Sequence, residues 1–139
     1  SRRERQKMVI DSSVFINFTV LGDEVKKDIE PYFGNELFAP GLFYSETVHY
    51  FNKLARNKYL AETKYELIIK RVKLLQINEI KSVDLIIEAS KMRHNITAYD
   101  AMYVALAKYL EQPLLTCDHR LAKAAKQYCD VIAIDVNKK

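Results

Sequence analysis

The chain is expected to fold as α/β, a three-layer α/β/α sandwich around a central, mostly parallel sheet. Short apolar runs at 8–10, 37–39, 114–117 and 131–134 read as buried strands, with a weaker candidate at 77–80. Longer segments with apolar residues at helical spacing lie between them. Strands and helices alternate along the whole length without an internal repeat, which implies a parallel sheet covered on both faces.

The elements follow in order. Residues 1–7 hold three arginines and a lysine with no apolar anchor, and are expected to form a flexible basic tail. A single domain is expected over 8–139. The run Met8-Val9-Ile10 stops at Asp11-Ser12-Ser13, and Val14-Phe15-Ile16 opens a helix that Gly22 ends. Residues 23–33 carry Val25, Ile29 and Phe33 as one apolar stripe. The run at 37–39 is closed by Pro40-Gly41. A third helix over 42–57 presents Phe43, Thr47, Tyr50, Phe51 and Leu54 on one face, with Glu46 bordering that stripe. A fourth, over 61–75, has a broad stripe suited to the preceding helix or to a partner subunit. A fifth, from Ser82 through Met92, is expected to close at Asn95 in the left-handed conformation. Thr97 precedes a helix over 98–110, Gln112-Pro113 breaks it, and another helix follows Asp118.

Composition narrows the function classes. The chain has 139 residues, 49% of them hydrophobic and 29% charged, so it can bury a core and is not a disordered or fibrous sequence. A net charge of +4 and a pI near 9.0 permit binding to phosphate backbones without requiring it. Cys117 and Cys129 have no CxxC spacing and no neighbouring His cluster, which argues against a zinc site. No signal-peptide core and no run of membrane-spanning length are visible, so a cytoplasmic protein with no membrane attachment is expected.

Four carboxylates have unusual addresses. Asp11 ends the first strand, Glu46 lies early in a helix, Asp100 opens another helix, and Asp118 follows a late strand. In open parallel sheets the functional crevice lies outside the carboxyl ends of the strands. Acids gathered there would repel one another unless a cation sat among them, and oxygen ligands without His or Cys suit Mg²⁺ or Mn²⁺. Such a site suits phosphodiester hydrolysis. Each acid also has a structural explanation. Asp11, or a serine beside it, would cap the first helix, and Thr97-x-x-Asp100 matches a capping box. Asp118 would cap the helix at His119, and Glu46 would gain from a helix dipole. Arg93 and Arg120, near the rim, could hold phosphates or stand as solvated charges.

The order of these features resembles the PIN-domain family, and the small VapC-type toxin ribonucleases of VapBC toxin–antitoxin pairs within it. The resemblance rests on the strand into Asp11-Ser12-Ser13, the internal Glu46, Tyr99-Asp100-Ala101 with Tyr103 to Ala107, and Pro113-Leu114-Leu115-Thr116-x-Asp118. It implies a PIN-like sandwich and a Mg²⁺- or Mn²⁺-dependent endoribonuclease. Asp11, Glu46, Asp100 and Asp118 would be the catalytic, metal-binding acids. Ser12, Ser13 and Thr116 match hydroxyl positions that support the metal or its water. An RNA substrate, a homodimer and an antitoxin partner are implied as well.

Other classes fare worse. A PIN-like scaffold that grips RNA or protein without cutting is the alternative, though clustered negative charge does nothing for RNA binding alone. A haloacid dehalogenase phosphatase would need an acid where Ser13 stands, and a phosphoacceptor receiver would need an acidic pair at the first strand end. GxxxxGK[ST] and GxGxxG are both missing.

Overall fold

Residues 5–137 are described by a computed structural model. Five strands alternate with seven helices among these residues: β1 (Lys7–Ile10), α1 (Ser12–Val20), α2 (Asp23–Ile29), β2 (Glu36–Pro40), α3 (Leu42–Arg56), α4 (Glu62–Leu74), β3 (Ile77–Ile80), α5 (Ile86–Ser90), α6 (Ala98–Leu110), β4 (Leu114–Thr116), α7 (His119–Ala125) and β5 (Val131–Ala133). The strands form one sheet of order β3-β2-β1-β4-β5, and every pairing is parallel.

That order places the first strand in the middle. The chain winds outward from β1 to β2 and β3, then returns to lay β4 on the other side of β1. The sense of winding reverses there, so right-handed crossovers put α1–α4 on one face and α5–α7 on the other. Packing agrees: α1 lies against α2 and α3, α3 against α4, and α6 against β1, β2 and α5. The central strands are apolar because both faces are covered: Val9, Ile10, Leu114 and Leu115 are fully buried. The helix α6 is itself nearly enclosed, with Ala101 and the whole run Tyr103–Ala107 buried.

Several boundaries depart from the sequence expectation for identifiable reasons. The helix expected over 23–33 runs only to Ile29 and tightens into a 3₁₀ turn, Glu30–Gly34. Pro31 has no N–H to donate and its ring clashes with the turn before it, so the α pattern cannot continue. The fifth helix is broken into a 3₁₀ turn, Ser82–Asp84, and the short α5. Asn95 does not take the left-handed conformation; among the described residues only Lys58 and Glu111 have positive φ. Its side-chain amide instead donates to the Tyr128 hydroxyl at 2.8 Å.

Of the expected basic tail, 1–7, only residues 5–7 lie among the described residues; residues 1–4 lie outside them. Arg5 donates to the carbonyls of Gly34 and Asn35, and Lys7 already belongs to β1. Two guanidinium bonds to carbonyls left open after the 3₁₀ turn tie this segment to the domain. The fourth helix packs on α3 through buried Ile68 and Val72, and Tyr65 hydroxyl donates to Asn52.

Candidate active site

The winding reversal between β1 and β4 leaves a crevice at the carboxyl ends of both strands, the place where such sheets hold ligands. Asp11 follows β1 directly, and Thr116 and Asp118 end and follow β4. The helices α3 and α6 begin at the same rim, since each runs back antiparallel to the strands. A cleft of about 300 Å³ opens there, lined by Asp11, Ser12, Ser13, Glu46, Asp100 and Asp118, together with Asn17, Tyr50 and Tyr103. All four acids singled out by sequence therefore share one cavity. So do Ser12 and Ser13. Thr116 does not line it; that residue is fully buried beneath the rim.

The floor is a hydroxyl cradle around Asp11. This carboxylate is 5% exposed and accepts from Ser13 Oγ at 2.6 Å on Oδ1 and from Thr116 Oγ1 at 3.0 Å on Oδ2. Each hydroxyl has one proton and gives it to Asp11, so the 3.4 Å approach of Ser13 and Thr116 is proximity rather than a third bond. Both hydroxyl oxygens accept in turn: Cys117 N–H donates to Ser13 Oγ and Asp118 N–H to Thr116 Oγ1. The network joins the turn after β1 to the turn after β4. Asp11 stands at the N-cap position of α1, yet its side chain makes no cap bond. Capping does not account for it.

The other three acids are held differently. Glu46 is half-buried, and its Oε1 accepts from Tyr103 hydroxyl at 2.5 Å and Ser12 Oγ at 3.2 Å. Asp100 stands one turn inside α6, where its N–H donates to Thr97 Oγ1 at 3.3 Å. Asp118 does cap its helix: Oδ1 accepts from the N–H groups of Arg120 and Leu121 at 3.0 and 3.2 Å. Both bonds fall on one oxygen.

Electrostatics marks the cleft as strained when fully ionised. Burial pushes the Asp11 carboxyl from its ordinary 3.8 up to about 7; its two hydroxyl partners oppose the shift, and Asp118 and Glu46 add to it. Burial also raises Glu46, with Asp100 adding to the rise. Burial raises Asp100 too, with Asp118 adding and Arg120 opposing. The repulsions close a ring, from Asp11 to Asp118 to Asp100 to Glu46 and back. A cation within it would relieve every member.

The donor set fits a hard cation: carboxylates and hydroxyls without His or Cys in the lining. Among the described residues no group of three or more His, Cys, Asp or Glu side chains is arranged to hold a metal ion as it stands; Mg²⁺ commonly needs only one or two carboxylates and completes its shell with water.

Tyr103 is a site residue that sequence reading missed, as are Asn17 and Tyr50 in the same lining. It is 1% exposed and reads as core, but it lies three residues after Asp100 and so shares that face of α6. A buried phenol needs a partner, and the acid bordering the stripe of α3 supplies one.

Comparison with known proteins shows the family of the chain. The PIN domain family model matches residues 8–127. The chain is 35% identical to Ribonuclease VapC1 of Mycobacterium tuberculosis over 94 residues, which covers 67% of this chain and 71% of that protein. It is 30% identical to Ribonuclease VapC9 of the same organism over 98 residues, 70% of this chain and 77% of that protein. The fold superposes on that of VapBC2 from Rickettsia felis, solved with a promoter DNA fragment, at a TM-score of 0.67 and 12% identity, covering 94% of this chain and all of that one.

Proposed function

We propose, from the premise that this chain belongs to the PIN-domain family and is a relative of the VapC ribonucleases, that it is an endoribonuclease that hydrolyses RNA phosphodiester bonds in the four-carboxylate cleft. The observation that carries this reading is the shared cavity of Asp11, Glu46, Asp100 and Asp118 at the sheet's reversal point. Those acids would hold Mg²⁺ or Mn²⁺, which when bound polarises a phosphoryl oxygen and eases deprotonation of water. Asp11 is the most rigid of them, clamped on both oxygens by Ser13 and Thr116. Ser12 and Tyr103 orient Glu46 by holding one oxygen, which presents the other to the cleft. Asp118 has one oxygen committed to the α7 cap, which sets its angle. Tyr50, at the mouth, offers an aromatic face on which an unpaired base can stack.

A scaffold that only gripped RNA would gain nothing from burying Asp11 among three more acids. The biological role we propose is the toxin of a toxin–antitoxin pair, acting in the cytoplasm as a homodimer whose antitoxin covers the cleft. Two structural neighbours, a Klebsiella pneumoniae toxin–antitoxin complex and Rickettsia felis VapBC2, support the partner class. Among the described residues no helix is long and apolar enough to cross a membrane.

The test is direct. Purified wild-type protein should cleave single-stranded RNA with Mn²⁺ and not with EDTA. The Asp100→Asn variant should be folded and inactive; cleavage at the wild-type rate by that variant would sink the assignment.

A further inference from the structure

A second groove, of about 480 Å³, opens on the face of the sheet covered by α6 and α7, and Asp100 belongs to both it and the acidic cleft. Its lining mixes apolar Ile96, Leu121 and Ala124 with polar groups: Asn95 and Thr97 from the turn before α6, and Arg120, Lys123 and Gln127 from α7 and just beyond. Arg120 and Lys123 are three residues apart and so share one helix face, turned toward the groove. Both are exposed, and no salt bridge joins either to an acid among the described residues. Asn95 is fixed by its bond to Tyr128, which makes that wall firm.

A chain of phosphates cannot approach four carboxylates without help. Arg120 and Lys123, lining a groove that shares Asp100 with the cleft, supply it. We infer that this groove, with Arg120 and Lys123 as its charged wall, seats the phosphates of the RNA strand on one side of the scissile bond. The position beside that bond rests on the ribonuclease reading. The groove at the far end of α6 makes a poor rival, since Lys108 there is already bound to Glu88 at 2.6 Å and Glu111 and Asp130 line it too. Arg120 and Asp100 both line this groove, and Arg120 opposes the rise of the Asp100 pKa.

Binding and cutting can be separated. In an Asp11→Asn background, which is not expected to cleave, a labelled single-stranded oligoribonucleotide is titrated by fluorescence anisotropy across a range of KCl concentrations with Mg²⁺ present. Adding Arg120→Ala and Lys123→Ala should weaken binding at least about fivefold, and flatten the slope of log K against log salt by roughly 1.4, two single-strand phosphate contacts. The matched pair Lys53→Ala and Arg56→Ala, at the far end of α3, should change neither. In the otherwise wild-type protein the double substitution should raise KM more than it lowers kcat. Unchanged affinity and slope, or no RNA binding by the Asp11→Asn protein, would overturn the inference. If the slope falls as expected but wild-type protein cuts no RNA, the nuclease reading fails and the groove stands as an RNA-binding site.

Discussion

Two turns in this molecule are near twins in sequence position and opposites in chemistry. Asp11 follows β1 and stands at the N-cap of α1; Asp118 follows β4 and stands at the N-cap of α7. The two strands are neighbours, so the two acids face the same cleft. Asp118 behaves as its address suggests, exposed and capping two backbone N–H groups. Asp11 is buried, makes no cap bond, and is held by hydroxyls from both turns. Address within an element therefore does not decide what an aspartate does. Cover from the surrounding helices does, because burial is what makes the Asp11 charge costly.

The largest expected effect comes from neutralising the buried twin. Asp11→Asn should lower kcat by about a thousandfold or more, the range found when a central charge-stabilising group is lost. The same change should raise stability above neutral pH. Asp11 has a folded pKa of about 7 against an ordinary 3.8, so between those values the folded protein keeps a proton that the unfolded chain releases. Stability from this group is thus full below about pH 4 and is lost as pH rises through about 7. Urea unfolding at pH 8 should find Asp11→Asn more stable than wild type by roughly 1–3 kcal/mol, and the gap should close at pH 4–5. A destabilised variant at pH 8 would show that the hydroxyl cradle outweighs the desolvation.

Asp118→Asn should be comparably inactive but nearly neutral in stability, because asparagine caps about as well as aspartate. Asp118→Ala, lacking any cap acceptor, should cost about 1 kcal/mol in the same unfolding assay. Equal stability changes for Asp11→Asn and Asp118→Asn at pH 8 would erase the contrast between the turns.

Added Mn²⁺ should stabilise wild type at pH 8 by about 1–3 kcal/mol at saturating concentrations, read as a rise in Tm. That rise should shrink in Asp11→Asn and Asp100→Asn alike. A rise of the same size in both variants would place the ion elsewhere.

Tyr103→Phe is the mildest test. It removes one hydrogen bond to Glu46 and nothing from the cleft's shape, so activity should fall about tenfold and stability by about 1 kcal/mol. Cleavage at the wild-type rate would mean that Ser12 alone orients Glu46.

Much of this was readable before any coordinates. The strands at 8–10 and 114–117 are apolar without interruption because both faces are covered, and that pattern survives in the sequence. The addresses of Asp11, Asp100 and Asp118 at element ends, and of Glu46 early in its helix, were equally plain. Pro31 was readable too, and its effect on the α pattern follows from covalent structure alone. Tyr103 was hidden, since a buried tyrosine in an Ala/Leu-rich helix looks like any other core residue until the partner of its hydroxyl is known. Thr116 was singled out, but that it lies beneath the rim and acts through Asp11 was not visible.

Local chemistry, then, determined the elements: apolar runs, helical spacing, a proline, and caps at Thr97 and Asp118 all act within a few residues. Only the tertiary structure decided that β1 and β4 are neighbours, and with that everything about the twin turns. Asp11 and Thr116 are 105 residues apart in the chain and 3.0 Å apart in space. No short-range preference encodes that distance. The return crossover that brings β4 beside β1 turns one aspartate into a cap and leaves the other buried at the centre of an acidic cleft.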